Sequence, residues 1–366
     1  MCEKIKVLYY FLVIAMSVFF IVKCGIFSDR IFSDIYRETI PDGSQGIQRD
    51  LSYEPNIWNY SEFIPCDPNP EEVQTAETDG NTENTSQPVQ EDEPDIEVIA
   101  PALYDNSVEK INYSMEQLSN YDFLVSNCYI VDKSTYITPE ELDINMLMSK
   151  DTSIKEGEGY KVLIYHTHGS EAFCDSREGV VEDTVIGLGD ELTAYLESYG
   201  IKVYHDRNIY DCIDGKLDRS KAYDLARENV DRILAENPSI EVVLDIHRDG
   251  VREDLKLVQN INGKPTAKIM FVNGMSRNEE GELDYLANPN RVDNLSFSLK
   301  MHLKGKNLYG NLMRKIYLRA YCYNLDCVPK AALIEVGAQT NTVEEAKNAM
   351  APLSIIIYEV LMEPPL

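Results

Sequence analysis

KVLIYHTH, residues 161–168, is a short apolar run that carries two histidines at its C-terminal end. A run of this length followed by polar residues has the signature of a buried strand. After a polar loop comes VIGLGDELTAYLESYG, residues 185–200, where Val185, Leu188, Leu192, Tyr195 and Tyr199 recur at helical spacing and Gly200 supplies a stop. A strand followed by such a helix is the first half of a βαβ unit. Working outward, the same alternation recurs: IKVY, then RSKAYDLARENVDRILAEN, then EVVLDIH and AKIMFVNG, a helical stretch around NLSFSLKMHLKGKNLYG, the run AALIEVG, and a closing helix TVEEAKNAMAPLSIIIYEVL. Alternation of this kind predicts an α/β fold whose parallel or mixed sheet is covered by helices on both faces.

Upstream, residues 107–153 read as a preface that packs on the domain formed by residues 154–366. They contain a helix-like SVEKINYSMEQLSN, then FLVSNCYIVD with strand character, then TPEELDINMLMSK, where Thr138 and Glu141 have the spacing of a capping box. The first 106 residues have a different character. VLYYFLVIAMSVFFIV, residues 7–22, holds only Ser17 as a polar residue and is flanked by Lys4, Lys6 and Lys23. With the residues that follow it, up to position 27, it is long enough to span a bilayer. No small-residue cleavage site follows, so an uncleaved anchor with its basic tip in the cytoplasm is the reading, with a cleaved signal peptide as the alternative. From Leu51 to Glu109 there is no Lys or Arg, and acidic residues accumulate, which makes residues 28–106 a solvated, self-repelling linker. That linker supplies much of the formal net charge of -28 and disfavours a nucleic-acid partner. Eight cysteines occur without a C-x-x-C pair; Cys322 and Cys327 are close enough in sequence to pair, but nothing requires it.

Strand C-termini of an open α/β sheet meet along one edge, where side chains far apart in sequence converge on one crevice. His168 lies at the end of its run, and HGSE (168–171) is an H-x-x-E step that sets Glu171 three residues on. His247 ends EVVLDIH. His, Glu and His make a three-ligand zinc set with one position left open, the pattern of a catalytic zinc. His166 points the same way as His168 if the strand continues, as a support for the ligands or as a core residue. His205 and His302 lack such company and read as surface or structural residues. In DIHRDG, Asp245 or Asp249 could orient the His247 imidazole, and Arg248 could turn to bind a substrate carboxylate. Glu335 stands amid ALI and VGA, where an unpaired carboxylate is costly to bury, so it must face a polar cavity, pair or neutralise. Beside a metal site, such a carboxylate is the expected general base.

YHTHGSEAF, DIHRDG and LIEVGAQTNTVEEA, in this order, resemble the stage II sporulation protein P family, from about Tyr121 to the C-terminus. The resemblance implies a zinc amidase-like fold and a membrane-anchored, zinc-dependent peptidoglycan hydrolase of endospore-forming bacteria. Its activities would be cleavage of the MurNAc–L-Ala amide and of peptide cross-links. It also implies an extracytoplasmic catalytic domain held on the cell membrane at the sporulation septum or engulfing membrane, acting with stage II sporulation proteins D and M in septal thinning and engulfment. On this basis His168, Glu171 and His247 bind Zn2+ and Glu335 is catalytic. Amidases more broadly place the carboxylate ligand further on, at a position that Glu182 could fill. GSEAF and YCYNLDCVPK depart from the family pattern and put substrate contacts in question; Arg248 and Asn324 are the candidates for them. Two other readings share these residues: a zinc carboxypeptidase-like peptidase, and a non-catalytic anchored scaffold that binds cell wall.

Overall fold

The computed structural model describes residues 107–213 and 215–363. The anchor and the acidic linker read for residues 1–106 lie outside the described residues. Among those described, no helix is long and apolar enough to cross a membrane.

The elements that matter here run in chain order as α1 (Tyr121–Cys128), β1 (Tyr129–Val131), α2 (Ile144–Ser149), β2 (Val162–Tyr165), α3 (Val185–Ser198), β3 (Val203–His205), α4 (Ala222–Glu236) and β4 (Val242–Asp249). The hairpin β5 (Val258–Ile261) and β6 (Lys264–Ala267) comes next, then β7 (Ile269–Gly274), α5 (Arg291–Tyr309), β8 (Ile316–Arg319), β9 (Lys330–Ala338), α6 (Val343–Asn348) and α7 (Met350–Met362). Seven strands form the central sheet in the order β1-β8-β7-β9-β4-β2-β3. All neighbours are parallel except β7 and β9, so the sheet is mixed.

Period-two alternation sorts the two faces. Val162 and Ile164, Leu244 and Ile246, and Ile334 and Val336 all join one apolar cluster with residues of α3, α5 and α7. The intervening residues Asp245, His247 and Glu335 therefore point to the opposite face. The chain leaves β2 outward to β3 and then returns past β2 to β4. Because both crossovers are right-handed by rule, α3 and α4 cover opposite faces, and a crevice opens beyond the C-terminal ends of β2 and β4. The parallel neighbour of β4 is β9, which pairs Glu335 with His247.

Several local expectations need correction. SVEKINYSMEQLSN yields only one helical turn, Met115–Leu118, fixed by a capping box between Ser114 and Gln117. FLVSNC is helical rather than extended, because Asn120 caps Phe123 and starts α1, and the strand begins only at Tyr129. Glu141 does accept from the Thr138 amide at 3.1 Å, yet the helix starts later, where Asp143 caps Asn145 and Met146. The preface lays down β1, the edge strand paired with β8. Neither β8 nor the β5–β6 hairpin stood out in the sequence. Cys322 and Cys327 are free thiols.

Candidate active site

β2 ends at Tyr165, so His168 stands in the turn that follows rather than in the strand itself. The Glu171 amide donates to the His168 carbonyl at 3.0 Å, closing the H-x-x-E step into a tight turn. Both side chains are buried, as is His247 on β4. The His168 and His247 rings meet edge to face, with centroids 5.3 Å apart. Glu171 Oε2 lies 3.4 Å from His247 Nδ1 and accepts from the Arg248 amide at 3.0 Å. Glu182 is elsewhere: its side chain is 59% exposed and meets Arg207 at 3.2 Å.

Carboxylates surround these imidazoles. Asp245 Oδ1 stands 2.9 Å from His247 Nε2, but the nitrogen has no aligned hydrogen bond, so the contact is one of charge. Asp245 is itself fixed by the Thr167 amide at 2.9 Å and the Thr167 hydroxyl at 2.6 Å, which ties β4 to the turn that carries His168. Asp249, the other candidate to orient His247, instead accepts from Arg314 at 2.7 Å. Arg248 spends its guanidinium on backbone, donating to the Ala172 carbonyl at 2.7 Å. Asn324 Nδ2 donates to the Tyr223 carbonyl at 2.9 Å and lines a groove of about 410 Å³ with Asp224, Glu228 and Asp326.

Burial sets the charges. It pushes the His168 imidazole down to about 4, Glu171 opposing and His247 assisting, so this ring is neutral at physiological pH with a lone pair to offer. Burial would also lower His247, but the charge of Asp245 and then Glu171 holds it well above the usual histidine range. Burial would raise Glu171; its hydrogen bond and attraction to His247, then Arg248 and Arg219, bring it below the ordinary carboxyl value instead. Glu335 behaves in the opposite way. Desolvation, then repulsion from Asp249, pushes its carboxyl up to about 8. The side chain keeps some accessible surface, while Oε2 is buried without a hydrogen-bond partner.

Three residues of this region carried no signal in the sequence. Asp211 is fully buried, accepts from the Ser170 hydroxyl at 2.5 Å and lies 3.9 Å from His168 Nδ1. Arg219 Nη1 reaches within 3.7 Å of Glu171 Oε1. Tyr223 packs edge-on against His168 at 5.5 Å. Asp211 and Arg219 come from the segment between β3 and α4 and Tyr223 from the first turn of α4, with no motif to connect them to HGSE. Beneath the site, His166 shares a 2.9 Å contact between its Nε2 and His205 Nε2, and His205 Nδ1 lies 3.1 Å from Asp190. A side chain at Gly189 would put a Cβ 2.4 Å from His205 and 2.6 Å from His166, so α3 needs glycine there to cover the pair.

Among the described residues, no group of three His, Cys, Asp or Glu side chains stands ready as a metal-holding array. The residue types nevertheless fit a zinc ion. Two imidazoles and a carboxylate are its usual donors, and the 3.4 Å between Glu171 Oε2 and His247 Nδ1 matches the edge of a tetrahedron with bonds of about 2.1 Å.

A model of the family described as Stage II sporulation protein P (SpoIIP) matches residues 49–358. The chain belongs to the Stage II sporulation protein P family. Stage II sporulation protein P of Bacillus subtilis (strain 168) is 28% identical over 220 residues, 56% of this chain and 52% of that protein, so the match spans about half the length of this curated relative. Among solved structures, the N-acetylmuramoyl-L-alanine amidase AmiC2 of Nostoc punctiforme is 16% identical, with a TM-score of 0.33 over 57% of this chain and 100% of its own. The CwlD amidase from Clostridioides difficile, in complex with the GerS lipoprotein, is 16% identical, with a TM-score of 0.36 over 55% of this chain and 98% of its own. At such scores, neither structure bears on the chemistry of this family member.

Proposed function

We propose that this chain is a zinc-dependent peptidoglycan hydrolase that cleaves the MurNAc–L-Ala amide, and also peptide cross-links, during sporulation. One observation carries the reading: Glu335, a carboxylate with a raised pKa and an unpartnered buried oxygen, is set beside His247 on the neighbouring strand. Family membership supports the setting in sporulation.

His168, Glu171 and His247 are the residues proposed to hold zinc. Bound there, the ion would supply Lewis acidity and lower the pKa of water. The other steps belong to side chains. Glu335 Oε2 takes a proton from the attacking water and returns it to the nitrogen of the leaving amine as the amide C–N bond breaks. Its raised pKa keeps it protonated at neutral pH until positive charge arrives nearby, which pulls the pKa back toward a working base. Asp245, held by Thr167, steadies the His247 ring.

Purified peptidoglycan incubated with the protein should release fragments with free L-Ala amino termini, identified by mass spectrometry, and a chelator should stop the release. Fragments lacking only C-terminal residues would instead indicate a carboxypeptidase, and none at all a scaffold. In the cell, residues 7–22 are proposed to anchor the domain outside the cytoplasmic membrane, where stage II sporulation proteins D and M are the proposed partners. External protease should then remove the domain from intact protoplasts; cleavage only after lysis would refute that orientation.

A further inference from the structure

After β8 the chain makes an irregular turn in which Tyr323 and Asn324 both adopt left-handed backbone angles, with φ of 55° and 57°. A bulky residue rarely accepts that conformation, and where it persists the surroundings must enforce it. Here the enforcement comes from the bond between Asn324 and the Tyr223 carbonyl, and from the buried Leu325, whose amide donates to the Cys322 carbonyl at 3.2 Å. The turn holds the Tyr323 ring edge-on to Tyr223 at 5.6 Å, with Tyr223 edge-on to His168 at 5.5 Å. Outward from Tyr323, the Tyr321 ring follows at 6.3 Å and is 57% exposed. The Arg319 guanidinium lies 5.8 Å from the Tyr323 ring centroid. Three tyrosines thus form a continuous path from the candidate ligand His168 to open surface.

We infer that Tyr323 and Tyr321 form a subsite that binds the glycan strand, so that the sugar side of the scissile amide leaves the site along this path. The assignment rests on the peptidoglycan reading and deepens it by naming which part of the substrate lies where. The C–H face of a pyranose ring stacks on an aromatic face, and the exposed Tyr321 ring can offer one to a sugar. A neutral N-acetylhexosamine chain also suits the electrostatics. The groove beside Asn324 is lined by Asp224, Glu228, Asp231 and Asp326, with Arg227 already paired to two of them, so an anionic ligand is repelled and a neutral one is not. Tyr321 is a positioning residue in this scheme, since it touches the strand away from the reacting bond.

The test uses the full chain, purified in detergent and carrying Glu335→Gln so that bound substrate is not consumed. Binding is measured to neutral β-1,4-linked N-acetylglucosamine oligomers, which present the same pyranose faces without the lactyl carboxylate, and, separately, to soluble stem peptides. Adding Tyr321→Ala should weaken glycan binding about tenfold, as for an exposed aromatic anchor, and leave stem-peptide binding unchanged. Tyr321→Trp, which restores an aromatic face, should recover it. Glycan binding within about twofold of the parent in Tyr321→Ala, no glycan binding by the parent, or a parallel loss of peptide binding each overturns the assignment. Product release from whole peptidoglycan by the chain with Glu335 intact is read independently, and its absence would refute the hydrolase reading instead.

Discussion

In the proposed mechanism, Glu335 is the residue on which the chemistry turns. Its carboxyl is held up to about 8 by desolvation and by Asp249, in the range where one group can both accept and return a proton at neutral pH. Glu335→Gln preserves shape and removes the accepting oxygen. Turnover of peptidoglycan should fall by about 10² or more, with zinc content and melting temperature unchanged. Loss of zinc from a folded Gln variant would make Glu335 a ligand; near-parental digestion would leave it structural. The proposed ligand set has its own measurement. Ala at His168, Glu171 or His247 should each reduce bound zinc well below about one equivalent, since three protein ligands are the minimum for a catalytic site. Full retention in Glu171→Ala with loss in Glu182→Ala would move the carboxylate role to Glu182. Which residues gather at this site was partly legible: HGSE and DIHRDG announced themselves because ligand-type side chains sit at strand ends. Asp211, Arg219 and Tyr223 did not, since neither a lone Asp in a loop nor an Arg or Tyr at the start of a helix has a periodicity that shows which site it faces.

At the scale of elements, β9 shows how a strand can hold a carboxylate off its regular register. Its pairing with β4 shifts between Glu335 and Ala338, and Gly337 within that stretch has φ of 62°. Such a bulge re-aims the side chains next to it. Only glycine suits the position, because a Cβ there would lie 2.7 Å from Asn341 Oδ1 and 2.9 Å from Ala267 Cβ. Asn341 cannot easily yield: it is fully buried, accepts from the Ala338 amide at 2.9 Å and donates to the Leu257 carbonyl at 3.1 Å. Gly337→Ala should cost about 1–3 kcal/mol, combining left-handed strain with the clash, and lower the melting temperature by about 3–10 °C. An unchanged melting curve would mean that the bulge tolerates a side chain and that glycine is not its cause. The sequence reading found β9 from its apolar run but not the bulge, because a single glycine in a strand pattern fits a bulge, a bend or a close approach equally well. It read FLVSNC as extended because aromatic and β-branched residues favour strands, whereas the Asn120 cap decides locally for a helix.

The molecule as a whole is a mixed sheet whose crevice lies where the path of the chain reverses between β2 and β4, and that much followed from alternating strands and helices. The antiparallel β7–β9 pair did not, since nothing in AKIMFVNG or AALIEVG encodes relative direction. The same two-sided burial that forms the core also removes histidines from water, with consequences for stability. His302 on α5 is fully buried, and neither ring nitrogen has an aligned hydrogen-bond partner. Desolvation, then repulsion from Lys306, pushes it down to about 3 from an ordinary 6.5. The unfolded chain therefore binds a proton between pH 6.5 and about 3 that the folded protein refuses, so stability rises with pH across that window. This contribution is intact above pH 6.5 and is lost as the pH falls below it, by about 1.4 kcal/mol per pH unit once well inside the window. Thermal unfolding followed by circular dichroism should show a melting temperature that drops between pH 6.5 and 5, before most carboxylates titrate. His302→Gln, which cannot take up that proton, should make this part of the curve shallower by about one proton's share, with the buried His166 and His168 keeping the rest, even if its melting temperature at pH 7.5 is lower. An equally steep decline in the Gln variant would show that the acid sensitivity comes from elsewhere, and that His302 accepts its proton without unfolding the domain.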